Sequence, residues 1–213
     1  MQLSDSLADQ LMEKARSFAK EDASTHKAIL IYEYLISNNI KHPWVRLGYA
    51  ECLIRDQRYK QAINILLEYL AIDYKYDRKR FVYLAQLLAK AYAEVAPADA
   101  ETWYSIACKF MPKQDGSFLT MRGYNLKKLG RYDEALMVFE KALESENVEK
   151  DEVYNNMGTI YRNQGNFTKA SECFRKSLSF EPSREIVARY LKELEDVEDI
   201  VISLKLVNER GAK

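Results

Sequence analysis

The ten residues Gly130-Arg131-Tyr132-Asp133-Glu134-Ala135-Leu136-Met137-Val138-Phe139 are answered 35 positions later by Gly165-Asn166-Phe167-Thr168-Lys169-Ala170-Ser171-Glu172-Cys173-Phe174. Glycine, aromatic, alanine and phenylalanine fall in the same places, and Leu143 and Leu178 extend the match. Upstream, Gly123 pairs with Gly158 and Leu126 with Tyr161 at the same interval. Self-similarity at a period of roughly 20–50 residues marks an array of one supersecondary unit. Such a unit cannot bury its apolar face alone and stacks on its neighbours.

Weaker copies reach back through the chain. The alanine recurs as Ala170, Ala135, Ala100, Ala62 and Ala28, and four residues after each stands Phe174, Phe139, Tyr104, Leu66 or Tyr32. A preceding small residue reads Gly158, Gly123, Ala89, Ala50 and Ala15. This order of small residue, aromatic, Gly, aromatic, Ala, aromatic and Pro resembles the tetratricopeptide-repeat (TPR) signature over Ser117–Pro182. The resemblance implies an all-α, right-handed superhelical solenoid of about five helix-turn-helix hairpins with a long C-terminal capping helix. The expected units are 1–40 (divergent), 43–75, 79–112, 117–150 and 151–182, then a capping helix over 183–208 and a flexible tail over 209–213. The middle repeat departs from the pattern, with Ala98 at the turn aromatic and Pro97 beside it, and the first lacks both turn glycine and turn aromatic.

The corresponding helices are expected at 4–20 and 25–38, 43–55 and 59–72, 79–95 and 98–110, 117–129 and 133–145, 151–164 and 167–179, and 184–207. Pro43, Pro112 and Pro182 fall between repeats and Pro97 between two helices of one repeat, where proline avoids its cost of about 3 kcal/mol inside a helix. Gly130 and Gly165 sit where a helix commonly ends in a left-handed residue. Ser183 is the expected N-cap of the last helix, and Tyr59, Tyr92, Tyr104, Tyr132 and Tyr161 fall at repeat-core positions.

Chemistry is sparse. Lys+Arg and Asp+Glu both number 32, and this balance argues against a general nucleic-acid binder. Cys52, Cys108 and Cys173 are far apart and odd in number, so neither a disulfide framework nor a CxxC metal site is offered, and a reducing, cytoplasmic setting is expected. Met1–Lys20 has no signal-peptide pattern, and no run of 18 apolar residues exists to span a membrane. Cys52 and Cys173 read as core residues and Cys108 as a buried thiol beside Trp103 and Tyr104. With only His26 and His42, and carboxylates spread over solvated faces, the expectation is a protein with no catalytic residues, no metal and no cofactor.

What the repeat leaves unused is more informative. Aligned copies give the rows Gln86, Thr120, Asn155; Lys90, Tyr124, Thr159; and Lys127, Arg162, with Asn156 beside the first. The resemblance places these nine on a concave groove. There amides can pair with a peptide backbone and cations with carboxylates, which implies an extended peptide or helix of another protein as partner. Some TPR co-chaperones clamp a chaperone's C-terminal carboxylate with two Lys, two Asn and an Arg. Asn156 fits that set, but Thr120, Tyr124, Val187 and Leu191 stand at the other four places, so that clamp is disfavoured. The leading expectation is an adaptor or scaffold. The alternatives are a chaperone for a secreted or assembling client and an RNA-associated helical repeat. For the last, Lys75, Arg78, Lys79 and Arg80 interleave with Tyr74, Tyr76, Phe81 and Tyr83, but Asp73 and Asp77 dilute them into a solvated linker.

At the C-terminus, Ile186, Tyr190, Leu191 and Leu194 are expected to cover the last hairpin. Val187, Tyr190, Leu194, Val197, Val201 and Leu204 continue at spacings of 3, 4, 3, 4 and 3, a heptad stripe. Val197, Val201 and Leu204 are therefore expected to pair with a second copy or dock on a partner. Glu193, Glu195, Asp196, Glu198 and Asp199 read as a solvated face.

Overall fold

The computed structural model describes residues 5–71, 77–111, 113 and 115–211; the side chains of Asp5, Asp22, Glu198, Asp199 and residues 201–211 lie outside that description. Among the described residues there are eleven α-helices and no strand. They are α1 Asp5–Ala19, α2 Thr25–Ser37, α3 Pro43–Arg55, α4 Tyr59–Ala71, α5 Arg78–Val95, α6 Pro97–Phe110, α7 Gly116–Lys128, α8 Tyr132–Leu143, α9 Lys150–Asn163, α10 Phe167–Phe180 and α11 Glu185–Gly211. Successive helices pack as hairpins, α1 on α2 through α9 on α10, and α11 packs on α10. The chain forms two compact units, Met1–Pro112 and Lys113–Lys213.

The repeated small residues explain how each hairpin closes. In the second unit, a Cβ added at Gly123 would lie 2.6 Å from the Phe139 ring, and one at Gly158 would lie 2.6 Å from Phe174. Glycine in α7 and α9 thus lets the ring of α8 or α10 lie against helix backbone, which offsets the roughly 0.5–1 kcal/mol that a helical glycine costs. In the first unit Ala15, Ala28, Ala50, Ala62, Ala89 and Ala100 are all fully buried, with Tyr32, Leu66 and Tyr104 at the aromatic position beside them.

Helix ends follow local chemistry. Gly130 and Gly165 adopt φ of +73° and +75°. The Gly130 N–H bonds Lys127 O and the Arg131 N–H bonds Leu126 O, the paired closure of a left-handed helix end. In the first unit Gln57, at φ +59°, makes the same closure, with its own N–H on Ile54 O and that of Arg58 on Leu53 O. Asp77, Asp115 and Asn166 cap α5, α7 and α10 by accepting N–H bonds from Arg80, Phe118 and Lys169.

Several expectations are corrected. α11 begins at Glu185, and Ser183 does not cap it; the Ser183 hydroxyl donates to the Glu181 carboxylate instead. Val187 is fully buried against Ala170 and Phe174, whereas Ile186 is 45% exposed, because the stripe Val187, Tyr190, Leu191 and Leu194 faces α10. Of the five tyrosines read as core, only Tyr104 is buried; the other four are half-buried, and Tyr32, Tyr49 and Tyr69 fill the core with it. Cys108 is half-buried rather than buried.

Candidate partner-binding faces

Seven of the nine predicted groove residues lie in the second unit, on the first helices α7 and α9 of its two hairpins. The repeat period sets them side by side, and the structure divides them by exposure. Tyr124 stands 45% exposed on α7, with the Lys127 ammonium 4.7 Å and the Lys128 ammonium 5.8 Å from its ring centre. Thr120 and Asn156 are buried. The Thr120 hydroxyl donates to Gly116 O, that of Thr159 to Asn155 O, and the Asn156 amide nitrogen to Glu152 O. The Lys127 ammonium donates to Asn156 Oδ1 at 2.5 Å, joining α7 to α9. Burial holds that ammonium below the ordinary lysine range, with Glu152 pulling the other way, and burial raises Glu152 above the usual carboxylate range.

One hairpin further on, Arg162 takes the place of Lys127. Its guanidinium lies 4.2 Å from the Tyr190 ring centre and 4.0 Å from the Glu193 carboxylate, both on α11. Tyr124, Lys127, Thr159 and Arg162 therefore share the α7–α9–α11 side of this unit. Gln86 and Lys90, both half-buried, belong to α5 of the first unit, where the Gln86 amide meets Met111 Sδ at 3.8 Å.

The sequence reading passed over a cleft in the first unit. Pro43 opens α3, and the imidazole of His42 caps it, its Nδ1 accepting the Trp44 N–H at 3.3 Å. Capping needs neutral imidazole, and burial, with Arg16 nearby, holds His42 below its ordinary range. The cap fixes Trp44, whose ring lies 5.9 Å from that of Tyr83 on α5. Trp44, Gly48, Glu51 and Arg55, spaced 4, 3 and 4, run down one face of α3 into the cleft, a helical stripe that the sequence carries openly. Gly48 makes room there for the Tyr32 hydroxyl, which a Cβ at this position would crowd.

Burial pushes the thiols of Cys52 and Cys173 up to about 11, far from the range of a thiolate nucleophile. Among the described residues no group of three or more His, Cys, Asp or Glu is placed to hold a metal, and no helix is long and apolar enough to cross a membrane. Tyr74, Lys75 and Tyr76 of the basic aromatic segment lie outside the described residues.

Tetratricopeptide-repeat family models match residues 21–90, 117–148 and 152–184, and the chain belongs to that family. Among solved structures it is similar to YrrB, described as a TPR protein with an unusual peptide-binding site, at TM-score 0.66 and 19% identity over 85% of this chain and 90% of that one. It is similar to MamA of AMB-1 at TM-score 0.68 and 21% identity, covering 81% of this chain and 98% of MamA. It also resembles the C-terminal part of a TPR repeat-containing protein from Cytophaga hutchinsonii, at TM-score 0.68 and 18% identity over 88% and 71% of the two chains. At these identities the likeness is one of fold. No curated protein sequence matches this chain significantly.

Proposed function

We propose that this protein is a non-catalytic adaptor that holds a segment of another protein against the first helices of its hairpins. Membership of the TPR family supports a protein-interaction role, and YrrB's peptide-binding site makes a peptide the natural class of ligand. The observation that carries the reading for the second unit is Tyr124, a large ring left 45% exposed with two ammonium groups over it, while Thr120, one turn before it on α7, is buried. An exposed aromatic flanked by cations is the composition of an interface anchor. Lys127 borders it, Thr159 and Arg162 stand one repeat further on along α9, and Gln86 and Lys90 are assigned the same role in the first unit. We assign the end of α11 a separate role in association, carried by Val197, Val201 and Leu204. Of these, Val201 and Leu204 have side chains outside the described residues.

A photo-crosslinking amino acid placed at Tyr124 tests the reading. It should capture a defined protein in cells, identified by mass spectrometry, while the same group at Met137 on the second helix α8 should not; Met137 is 59% exposed and so equally accessible. Equal capture from both positions overturns the proposal for this face.

A further inference from the structure

The cleft around Trp44 has walls, rigidity and charge that specify a ligand more narrowly than the adaptor reading does. Trp44 separates two recesses. One, of about 540 Å³, is lined by Arg16, Lys20, Glu51, Arg55 and Tyr83 among others; the second, of about 640 Å³, by Arg78, Lys79, Val82, Tyr83 and Gln86. Each is of the size that takes a bulky side chain with room for its neighbours. The second is walled almost wholly by carbon: the two aromatic rings, Val82 and the stems of Arg78 and Lys79.

These walls are set before any ligand arrives. The Tyr83 hydroxyl donates to Glu51 at 2.6 Å. Arg55 reaches the Ala19 carbonyl and lies 3.5 Å from Glu51. The Arg78 guanidinium donates to Phe110 O at 2.8 Å. A preorganised site loses less to ordering when it binds.

The charge is one-sided. Arg16, Lys20, Arg55, Arg78 and Lys79 line the two recesses, and the sole carboxylate among the described residues that line them, Glu51, is already engaged by Tyr83 and Arg55. In a chain whose charges balance at 32 against 32, this is local segregation, and a concave wall of low polarity focuses such a field. A nucleic acid would also answer positive charge beside aromatic rings. However, a third recess beyond Arg16 and Trp44 carries Asp9 and Glu13, which would repel a phosphate at every nucleotide of a continuing strand. A peptide can confine its acids to the basic stretch.

We propose that the Trp44 cleft binds an acidic peptide segment of a partner protein, with one aromatic or large aliphatic side chain seated in the recess of Trp44, Val82 and Tyr83 and flanking Asp or Glu side chains on Arg16, Lys20 and Lys79. The proposal deepens the adaptor reading and rests on it for the class of ligand.

The test uses the full chain and a fluorescein-labelled peptide with one Phe between runs of Asp and Glu, followed by anisotropy. Saturable binding is expected. It should weaken about tenfold or more when the peptide's acids become Asn and Gln, and equally when its Phe becomes Ala. Trp44→Ala, and separately Arg16→Glu with Lys79→Glu, should each weaken it about tenfold or more. The charge variants alter exposed residues, so their helicity and melting should match the parent and keep the test valid if Trp44→Ala folds poorly. In a Trp103→Phe background the remaining tryptophan emission should shift on binding. Equal affinity for the neutral peptide, parental affinity in the charge variants, or tighter binding of an oligouridylate of the same length overturns the proposal. So does self-association of the chain that the peptide competes away, since a second copy is then the occupant. Crosslinking at Tyr124 reads the adaptor role independently: capture there without peptide binding here sinks this proposal alone.

Discussion

The Lys127 ammonium donates to the Asn156 side-chain oxygen across the step from α7 to α9, so two residues that the repeat register sets out as partner contacts hold each other. Asn156 is buried at 5% exposure, and its nitrogen is committed to Glu152 O. Whatever a partner does on this face, the pair first joins adjacent hairpins.

Asn156→Ala should therefore destabilise the protein by about 1.5–3 kcal/mol, the range for a hydrogen bond to a charged group. Lys127→Met removes the charge that burial already disfavours and should cost less. Urea unfolding of both single variants and the double variant checks this. A coupling of about 0.5–3 kcal/mol is expected, and strict additivity would show that the bond is not formed in solution.

Gly123→Ala and Gly158→Ala test how the hairpins close. Alanine is favoured over glycine inside a helix by about 1 kcal/mol, so a neutral site would gain stability. Here the added carbon meets the Phe139 or Phe174 ring, and overpacking of this kind costs about 1–3 kcal/mol. Both variants should melt below the parent. Gly130→Ala has nothing within 4 Å of the new carbon, so its cost, about 1–2 kcal/mol, comes from φ alone. A rise in melting temperature for Gly123→Ala would break the assigned register.

These glycines also show why the fold was legible in the sequence. A residue type forced by a ring or by a left-handed φ recurs wherever the unit recurs, so Gly123, Gly158, Gly130 and Gly165 announce crossings and helix ends together. Gln57 takes the same left-handed turn with a side chain that gives no such signal. Ile186 and Val187 are adjacent and equally apolar, and only the packing of α11 on Phe174 decides between them. The candidate sites were less legible for a related reason. Repeat alignment names positions that point one way but not which of them reach each other, and it treats the stretch around Pro43 as a junction, which hid Trp44 and the stripe below it.

Tyr32 and Tyr49 set an alkaline limit. Burial, the leading cause in both, pushes their phenols from 10.0 up to about 12, and a hydrogen bond to Glu33 adds to the shift for Tyr49; Tyr83 and Tyr104 are raised further. A raised folded value means that the unfolded chain ionises first as pH climbs. This contribution to stability is whole below pH 10 and is lost between pH 10 and about 12. The last part of the rise in phenolate absorbance should coincide with the loss of helical circular dichroism. Full tyrosine titration in a chain that remains helical would contradict the burial.

The end of α11 supplies the last expectation. With 27 residues the helix is about 40 Å long, against about 21 Å for the 14-residue α10 beneath it. Val187, Tyr190, Leu191 and Leu194 spend the first turns on that hairpin, and Arg175 meets Glu195 at 3.0 Å. Past Glu195 the stripe continues, but Val197 is 45% and Ile200 58% exposed. Each such side chain left in water forgoes up to about 1.5–3 kcal/mol of burial. A short amphipathic segment is marginal alone but is already helical here as an extension of a packed helix, which removes the nucleation cost from pairing. Light scattering at tens of micromolar should give a dimer for the intact chain and a monomer for a chain ending at Glu195. The melting temperature of the intact chain alone should rise with protein concentration. Two monomers of equal, concentration-independent stability would remove self-association from the account of this helix.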